Sequence, residues 1–384
     1  MIHSNILLIL TLSLLIWGSP FVSKLVRIPT PPVEIILGSI FAYLGLVINN
    51  EYFNLIAEIG FLYLMFLAGM EVDLKQITRS PKGVIQKAIL FIAFMSLFSI
   101  TLGMIFRLNM ITIISMPLIS IGLLASLSKT YGKDEPWLKL AFIAGVLGEI
   151  ISIAALTIFD AASTTGFNIG LIVKIGYLVF FIISVYFVYK LLHLLFWWFP
   201  ELKNTLVPKL DTSDQDIRLA MALFFILIAA MLSLELELAL GAFIAGVAIS
   251  AFFHHEKKLE EKMSSLGFGF LVPLFFIHVG ASFDLKSLMV EGVVSGAILI
   301  TSLMILSRIL AAIVLKKISG SRDALLVALS LSMPLTLLVA VATIGYETKL
   351  LDLLSYYQLI LASIFEILIS MTAIKILQSR KKED

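Results

Sequence analysis

Cysteine is absent from the 384-residue chain, which excludes a disulfide framework and any thiolate metal site. Charge is scarce too: Asp, Glu, Lys and Arg make up 14% of the residues, while 60% are hydrophobic. A water-soluble domain cannot hide that much apolar surface, so lipid must be the solvent for most of the chain. There is no Walker loop, no G-x-G-x-x-G and no H-E-x-x-H, so nothing supports an ATPase, a nucleotide site or a zinc protease. An enzyme is not expected, no cofactor is implied, and no nucleic-acid partner is expected.

What the chain does have is apolar runs of roughly spanning length, about 17–25 residues. Thirteen can be read, at roughly 5–22, 33–48, 55–70, 84–106, 110–128, 137–159, 169–196, 217–234, 238–253, 267–281, 288–315, 322–343 and 355–377. The first has no basic start and no small-residue cleavage site, which reads as a retained helix rather than a signal peptide. Loops after odd-numbered runs hold eighteen basic residues: Lys24, Arg27, Lys75, Arg79, Lys82, Lys129, Lys133, Lys203, Lys209, Lys257, Lys258, Lys262, Lys316, Lys317, Arg322, Arg380, Lys381 and Lys382. The opposite loops hold three, Arg107, Lys286 and Lys349. By the positive-inside rule the N-terminus is expected outside and the C-terminus in the cytoplasm of a multi-pass inner-membrane protein.

Two of these runs contain the same tetrapeptide, Ser115-Met116-Pro117-Leu118 and Ser332-Met333-Pro334-Leu335, 217 residues apart. Two other segments correspond in the same order. The stretch from Val33 to Ala42 resembles that from Leu236 to Ala245, at a spacing of 203. Leu67-Ala68-Gly69 running to Asp73-Leu74-Lys75 resembles His278-Val279-Gly280 running to Asp284-Leu285-Lys286, at a spacing of 211. The pairs lie seven runs apart, and seven is odd, so the second copy is inverted in the membrane. An inverted-topology repeat follows, about 24–196 and about 217–378, joined by a linker at about 197–216 that holds Pro200 and Pro208. A proline inside each run removes a backbone donor and clashes with the preceding turn. Two broken helices crossing near the midplane are expected at Ser115, Pro117, Ser332 and Pro334, with their freed carbonyls facing a cavity.

The same 217-residue shift carries Glu149 to Glu366. Glu149 lies twelve residues into the sixth run, roughly 18 Å along a helix rising 1.5 Å per residue, near the bilayer centre. A bare carboxylate there costs several kcal/mol, so it must be neutral, paired or wetted, and it becomes a candidate carrier of a proton or a cation. Arg308 sits eight residues before Lys316, too deep for easy snorkelling, and is expected to pair with a carboxylate as a fixed counter-charge. Glu34, Glu235 and Glu237 lie close to helix starts, where a solvated or dipole-stabilised carboxylate is ordinary. Glu71 and Asp73 read as caps, His278 as a hydrogen-bonded structural histidine, and His254-His255 as a wet loop pair.

At these residues the chain resembles a known family. Leu240-Gly241-Ala242-Phe243-Ile244-Ala245-Gly246 is similar to the L-G-A-F-x-A-G signature of the monovalent cation:proton antiporter-2 family. So are the stretch from Pro273 to Leu285, against P-L-F-F-x-x-V-G-x-x-x-D-L, and the stretch from Phe66 to Leu74, against F-x-x-G-L-E-x-D-L. The resemblance covers essentially the whole chain. It implies an all-α membrane protein with the sodium/proton antiporter-like fold, thirteen helices, a homodimer with a dimerisation part and a mobile core, and crossed broken helices five and twelve. Relatives carry N-D, D-D or Q-D in the sixth helix; here those positions are Gly148 and Glu149. The Lys or Arg of relatives falls on Arg308. A cytoplasmic nucleotide-binding domain of the Kef type is not expected.

The function expected is a secondary antiporter exchanging protons for Na⁺ or K⁺ by alternating access. Glu149 would hold the proton and the transient metal ion in turn, carbonyls near Pro117 and Pro334 would complete the cation's shell, and Glu366 would hold Arg308. The ion site would then comprise Glu149, Gly148, Glu366 and Arg308, with electroneutral one-for-one exchange. Two alternatives stand beside it: a proton-coupled transporter of another solute, and a transport-inactive membrane sensor or assembly protein.

Overall fold

The structure is a computed structural model that describes residues 2–26, 30–48, 50–72, 81–132, 134–165, 169–198, 214–236, 238–252 and 257–379. Most of the 197–216 linker lies outside the described residues, with both its prolines, as do Arg27, Asp73, Lys75, Arg79, Lys133, Lys203, Lys209, Glu237, His254, His255, Arg380, Lys381 and Lys382.

Every regular element among the described residues is helical. The bilayer core has no water to satisfy backbone groups, so a spanning segment must pair its own. Among the described residues, nine helices are long and apolar enough to cross a membrane, ten if one bent pair counts as a single span. Apart from that bent pair, three of the thirteen runs hold only shorter helices among the described residues: α2 (Thr30–Tyr43), the pair α5 (Met110–Ser115) and α6 (Leu124–Tyr131), and α10 (Leu238–Phe252). Local chemistry shortens the first two. Gly45, at φ 73°, turns the chain after α2, and Pro117 breaks the fifth run.

The chain divides into two compact units. The first comprises Met1–Phe61, Lys75–Ile153 and Phe270–Asp384. It contains α1 (Ile2–Val26), α2, the start of α3 (Glu51–Met70), α4 (Lys82–Ile105), α5, α6 and most of α7 (Pro136–Thr165). The later helices of this unit are α12 (Val272–Ala281), α13 (Val293–Ala311), α14 (Lys316–Ser330), α15 (Leu335–Glu347) and α16 (Leu353–Ser379).

Lipid tails give helices no hydrophobic reason to associate, so close backbone approach through small residues has to hold them. The α2–α12 crossing is built this way. A Cβ on Gly38 would lie 2.2 Å from the Ile277 carbonyl oxygen, and one on Gly280 would lie 1.9 Å from that of Ile35. Ser39 Oγ donates to the Gly280 carbonyl at 2.8 Å across the same contact. Around the site, α13 packs on α4 and α16, and α16 packs on α14 and α15.

The second unit comprises Leu62–Leu74 and Ala154–Gly269. It holds the ends of α3 and α7, then α8 (Ile169–Trp198), α9 (Gln215–Ser233), α10, α11 (Lys257–Leu266) and most of the π-helical turn Gly267–Leu271. Here α3 and α10 cross by the same device: a Cβ on Gly69 or on Gly246 would lie 2.0 Å from the carbonyl oxygen of Phe243 or Phe66 respectively. Tyr63 OH donates to the Met263 carbonyl at 3.1 Å.

Candidate functional site

The site lies within the first unit and starts from a helix that fails. Asn109 caps α5, its Oδ1 accepting from the Ile111 amide at 2.9 Å. The helix ends after six residues at Ser115, because Pro117 supplies no amide and its ring excludes the next turn. Residues 116–123 then run as turn and irregular chain until α6 begins. The same happens after Ser330: residues 331–334 are non-helical, Pro334 precedes α15, and α14 and α15 are bent by 40°.

Two residues one turn apart on α7, Glu149 and Ser152, hold the first break. Glu149 Oε2 accepts from the Ile121 amide, and its Oε1 accepts from Ser120 Oγ at 3.4 Å. Ser152 Oγ accepts from the Ile119 amide at 2.8 Å. Glu149 is 0% exposed. A broken helix leaves amides without carbonyl partners, and a buried carboxylate needs donors, so each satisfies the other. Gly148 brings no ligand to this site. It brings room: a Cβ there would meet Ile119 Cδ1 at 2.4 Å.

Arg308, on α13 and 0% exposed, ties both breaks together. Its Nη2 donates to the Leu118 carbonyl at 2.6 Å, its Nε to Leu331 at 3.2 Å and its Nη1 to Met304 at 3.0 Å. Nη1 also stands 3.1 Å from Glu366 Oε1. Neither Glu366 oxygen accepts a well-directed hydrogen bond, so this contact is charge against charge at close range. Removing either partner of such a buried pair leaves an uncompensated ion, at a cost of about 3–5 kcal/mol.

The sequence-derived residues therefore fall into two groups. Glu149 and Gly148 line the first break, while Arg308 and Glu366 form the expected pair and reach the second. Of the carbonyls near the prolines, those of Leu118 and Leu331 accept from Arg308. The Ser115 and Ser332 hydroxyls donate within their own chain segments, to Thr112 and Ala328 carbonyls at 2.8 and 3.0 Å. Ser120, Ser152 and Thr336 were missed. The three-residue spacing of Glu149 and Ser152 on one helix face was the available signal for the second. Thr336 Oγ1, on the first turn of α15, is buried without a partner.

Among the other candidates, His278 is structural, its Nε2 2.9 Å from Asn54 Oδ1. Glu34 is buried, so of its two readings, solvated or dipole-stabilised, the solvated one does not hold; it accepts from Ser19 Oγ of α1 at 3.0 Å. Glu235 is largely exposed and 4.0 Å from Lys174. No group of three or more His, Asp or Glu side chains that could hold a metal occurs among the described residues. The oxygens beside the first break, the Glu149 carboxylate and the Ser120 hydroxyl, are hard ligands.

The profile of the family described as "Sodium/hydrogen exchanger, transmembrane" matches residues 9–378. The chain belongs to the sodium/hydrogen exchanger family. It is a multi-pass integral membrane protein, and the match is to the broader family rather than to the antiporter-2 branch that the sequence motifs resemble. The Bacillus subtilis protein YjbQ is 24% identical over 408 residues, covering 100% of this chain and 65% of its own length. The chain thus spans about two thirds of that relative. A Na⁺/H⁺ antiporter of Enterococcus hirae is 24% identical, with 89% of each chain covered. The solved structure of the sodium proton antiporter MjNhaP1 from Methanocaldococcus jannaschii at pH 8 superposes with a TM-score of 0.66 at 15% identity, covering 98% of both chains. That likeness is one of fold.

Proposed function

We propose that the chain is a secondary antiporter that exchanges a monovalent cation, Na⁺ with K⁺ as the other candidate, for a proton by alternating access. The observation that carries this reading is Glu149, fully buried and held by the Ile121 amide and Ser120 hydroxyl of a broken helix. Such a carboxylate has donors enough to exist as an ion and too few cations to be neutral. A proton or a cation completes it, and the two compete for the same oxygens. When the cation binds, Ser120 Oγ, already beside the Glu149 carboxylate, is the neighbouring oxygen ligand. Arg308 and Glu366 cancel each other's charge, so Glu149 is the carboxylate at the two breaks left without a cation, and exchange is one for one and electroneutral.

The reading includes an inverted repeat, an N-terminus outside, a C-terminus in the cytoplasm and a homodimer in the lipid bilayer. Supporting the repeat, α2 and α3 correspond in sequence to α10 and α12, and each cross-pair, α2 with α12 and α3 with α10, meets through a glycine from either helix. The test is ΔpH-driven uptake of radioactive Na⁺ into proteoliposomes. Glu149→Gln is expected to abolish it, and an unchanged rate would rule out the role. A wild-type rate that responds to membrane potential would rule out electroneutrality.

A further inference from the structure

The surroundings of Arg308 resemble a cation's coordination shell more than an ordinary salt bridge. Four oxygens from four separate elements converge on one guanidinium: Leu118 from the first break, Met304 from α13, Leu331 from the second break and Glu366 from α16. Three are backbone carbonyls and one is a carboxylate, so the shell carries one formal negative charge. Two further observations show hydrogen-bonding capacity left over in this half. Both Glu366 oxygens lack a directed hydrogen bond, and Thr336 Oγ1 on α15 is buried and unpartnered. Irregular backbone, a buried acid and spare oxygens are the components also found around Glu149, and they recur here at the 217-residue shift. That shift takes Pro117 to Pro334, Ile119 to Thr336 and Glu149 to Glu366. What the first half lacks is the cation. Its α4, the counterpart of α13, has no charged residue from Ala88 to Ile105.

We infer that the second break carries a monovalent-cation site equivalent to the one at Glu149, and that the Arg308 guanidinium is its permanent, covalently tethered occupant. The site takes a singly charged cation because one carboxylate balances one charge, and because carbonyl and hydroxyl oxygens are ligands for a hard ion. A tethered occupant cannot be released, so this half takes no part in exchange, and only the Glu149 half is left to alternate. The inference deepens the antiport reading and rests on it for the meaning of the Glu149 site, but its own test reads binding and not transport.

The experiment removes the tether in a background where the first site is silent. Purified full-length Glu149→Gln is expected to bind no radioactive Na⁺ above the choline background. If it binds, the Glu149 reading fails and this inference is untouched. Adding Arg308→Ala is expected to create one saturable site per chain for Na⁺, K⁺ or guanidinium ion, each added as the chloride, and to raise the unfolding temperature by a few degrees with the bound cation but not with choline. Adding Glu366→Gln to that variant is expected to remove both effects. Absence of a new site in Glu149→Gln/Arg308→Ala, or a new site indifferent to Glu366→Gln, overturns the inference. Should Arg308→Ala aggregate in choline, recovery of a monodisperse protein by any of the three cations supports it. Aggregation in all of them alike overturns it, with Arg308→Gln as the second variant held to the same criteria.

Discussion

Replacing Gly148 by alanine is the sharpest structural perturbation of the exchange site that adds no charge. A Cβ at this position lies 2.4, 2.9 and 3.0 Å from Cδ1, Cβ and Cγ2 of Ile119. Ile119 cannot swing aside, because it is 0% exposed and its amide is bound to Ser152 Oγ at 2.8 Å. Overpacking of this kind costs about 1–3 kcal/mol, and alanine in place of glycine inside a helix returns about 1 kcal/mol. The net loss of stability should therefore be about 1 kcal/mol. The site should suffer more. Pushing Ile119 outward withdraws its neighbours Ser120 and Ile121, which hold the Glu149 carboxylate. A hydrogen bond to a charged group is worth about 1.5–3 kcal/mol, so the Na⁺ concentration for half-maximal uptake should rise about tenfold or more. Ile119→Val deletes the closest atom and alone costs about 0.5–1.5 kcal/mol. Combined with Gly148→Ala it should recover part of the lost affinity, which a double-mutant cycle would read as favourable coupling. The assays are Na⁺ uptake at graded concentrations and thermal unfolding followed by tryptophan fluorescence. A Gly148→Ala protein with wild-type half-saturation, or one made no better by Ile119→Val, would refute the steric account.

Three further outcomes are expected. Ser152→Ala strands the Ile119 amide in the interior, at about 1–3 kcal/mol, and should raise the half-saturating Na⁺ concentration more than it lowers the maximal rate; Ser152→Thr keeps the acceptor and should behave like wild type. Gly280→Ala places a methyl carbon 1.9 Å from a backbone oxygen that cannot yield, whereas Gly18 has nothing within 4 Å, so the first should lower the unfolding temperature sharply and Gly18→Ala should not. Asp352, at the start of α16, accepts from the Ser355 amide at 3.1 Å, and hydrogen bonding to Ser355 lowers its carboxyl below the ordinary range. Asp352→Ala should cost about 1 kcal/mol and Asp352→Asn much less. Because the folded-state value is lowered, the difference from alanine should be complete at neutral pH and fade as pH falls through that lowered value, as unfolding scans at several pH values would measure.

How much of this was legible in the sequence varied with the range of the interaction. The prolines announced both breaks, since proline acts on its own helix. The 217-residue correspondence put Glu149 and Glu366 in matching places, and the depth of Arg308 favoured pairing over snorkelling. Helix lengths were less legible: apolar runs such as 33–48 do not reveal that a left-handed glycine ends α2 early. What Arg308 binds was partly hidden. Sequence identifies a cation needing an anion, but not that three carbonyls from distant elements would also turn toward it. The role of Gly148 was hidden for a related reason. A family position that elsewhere bears a polar side chain reads as part of the ion site, and only the folded chain reveals Ile119 filling that space. Glu34 read as solvated or dipole-stabilised because it lies at a helix start, and nothing local says that Ser19 of α1 packs against it.

The central claim is that one carboxylate, Glu149, holds a proton and a cation in turn. Proton release from the purified protein on addition of NaCl, measured with a pH-indicator dye in weakly buffered detergent solution, tests it most directly. The account predicts about one proton per chain from the wild type, none from Glu149→Gln, and release retained in any Glu366→Gln protein that remains folded. Equal release from Glu149→Gln, or release lost only with Glu366→Gln, would contradict it.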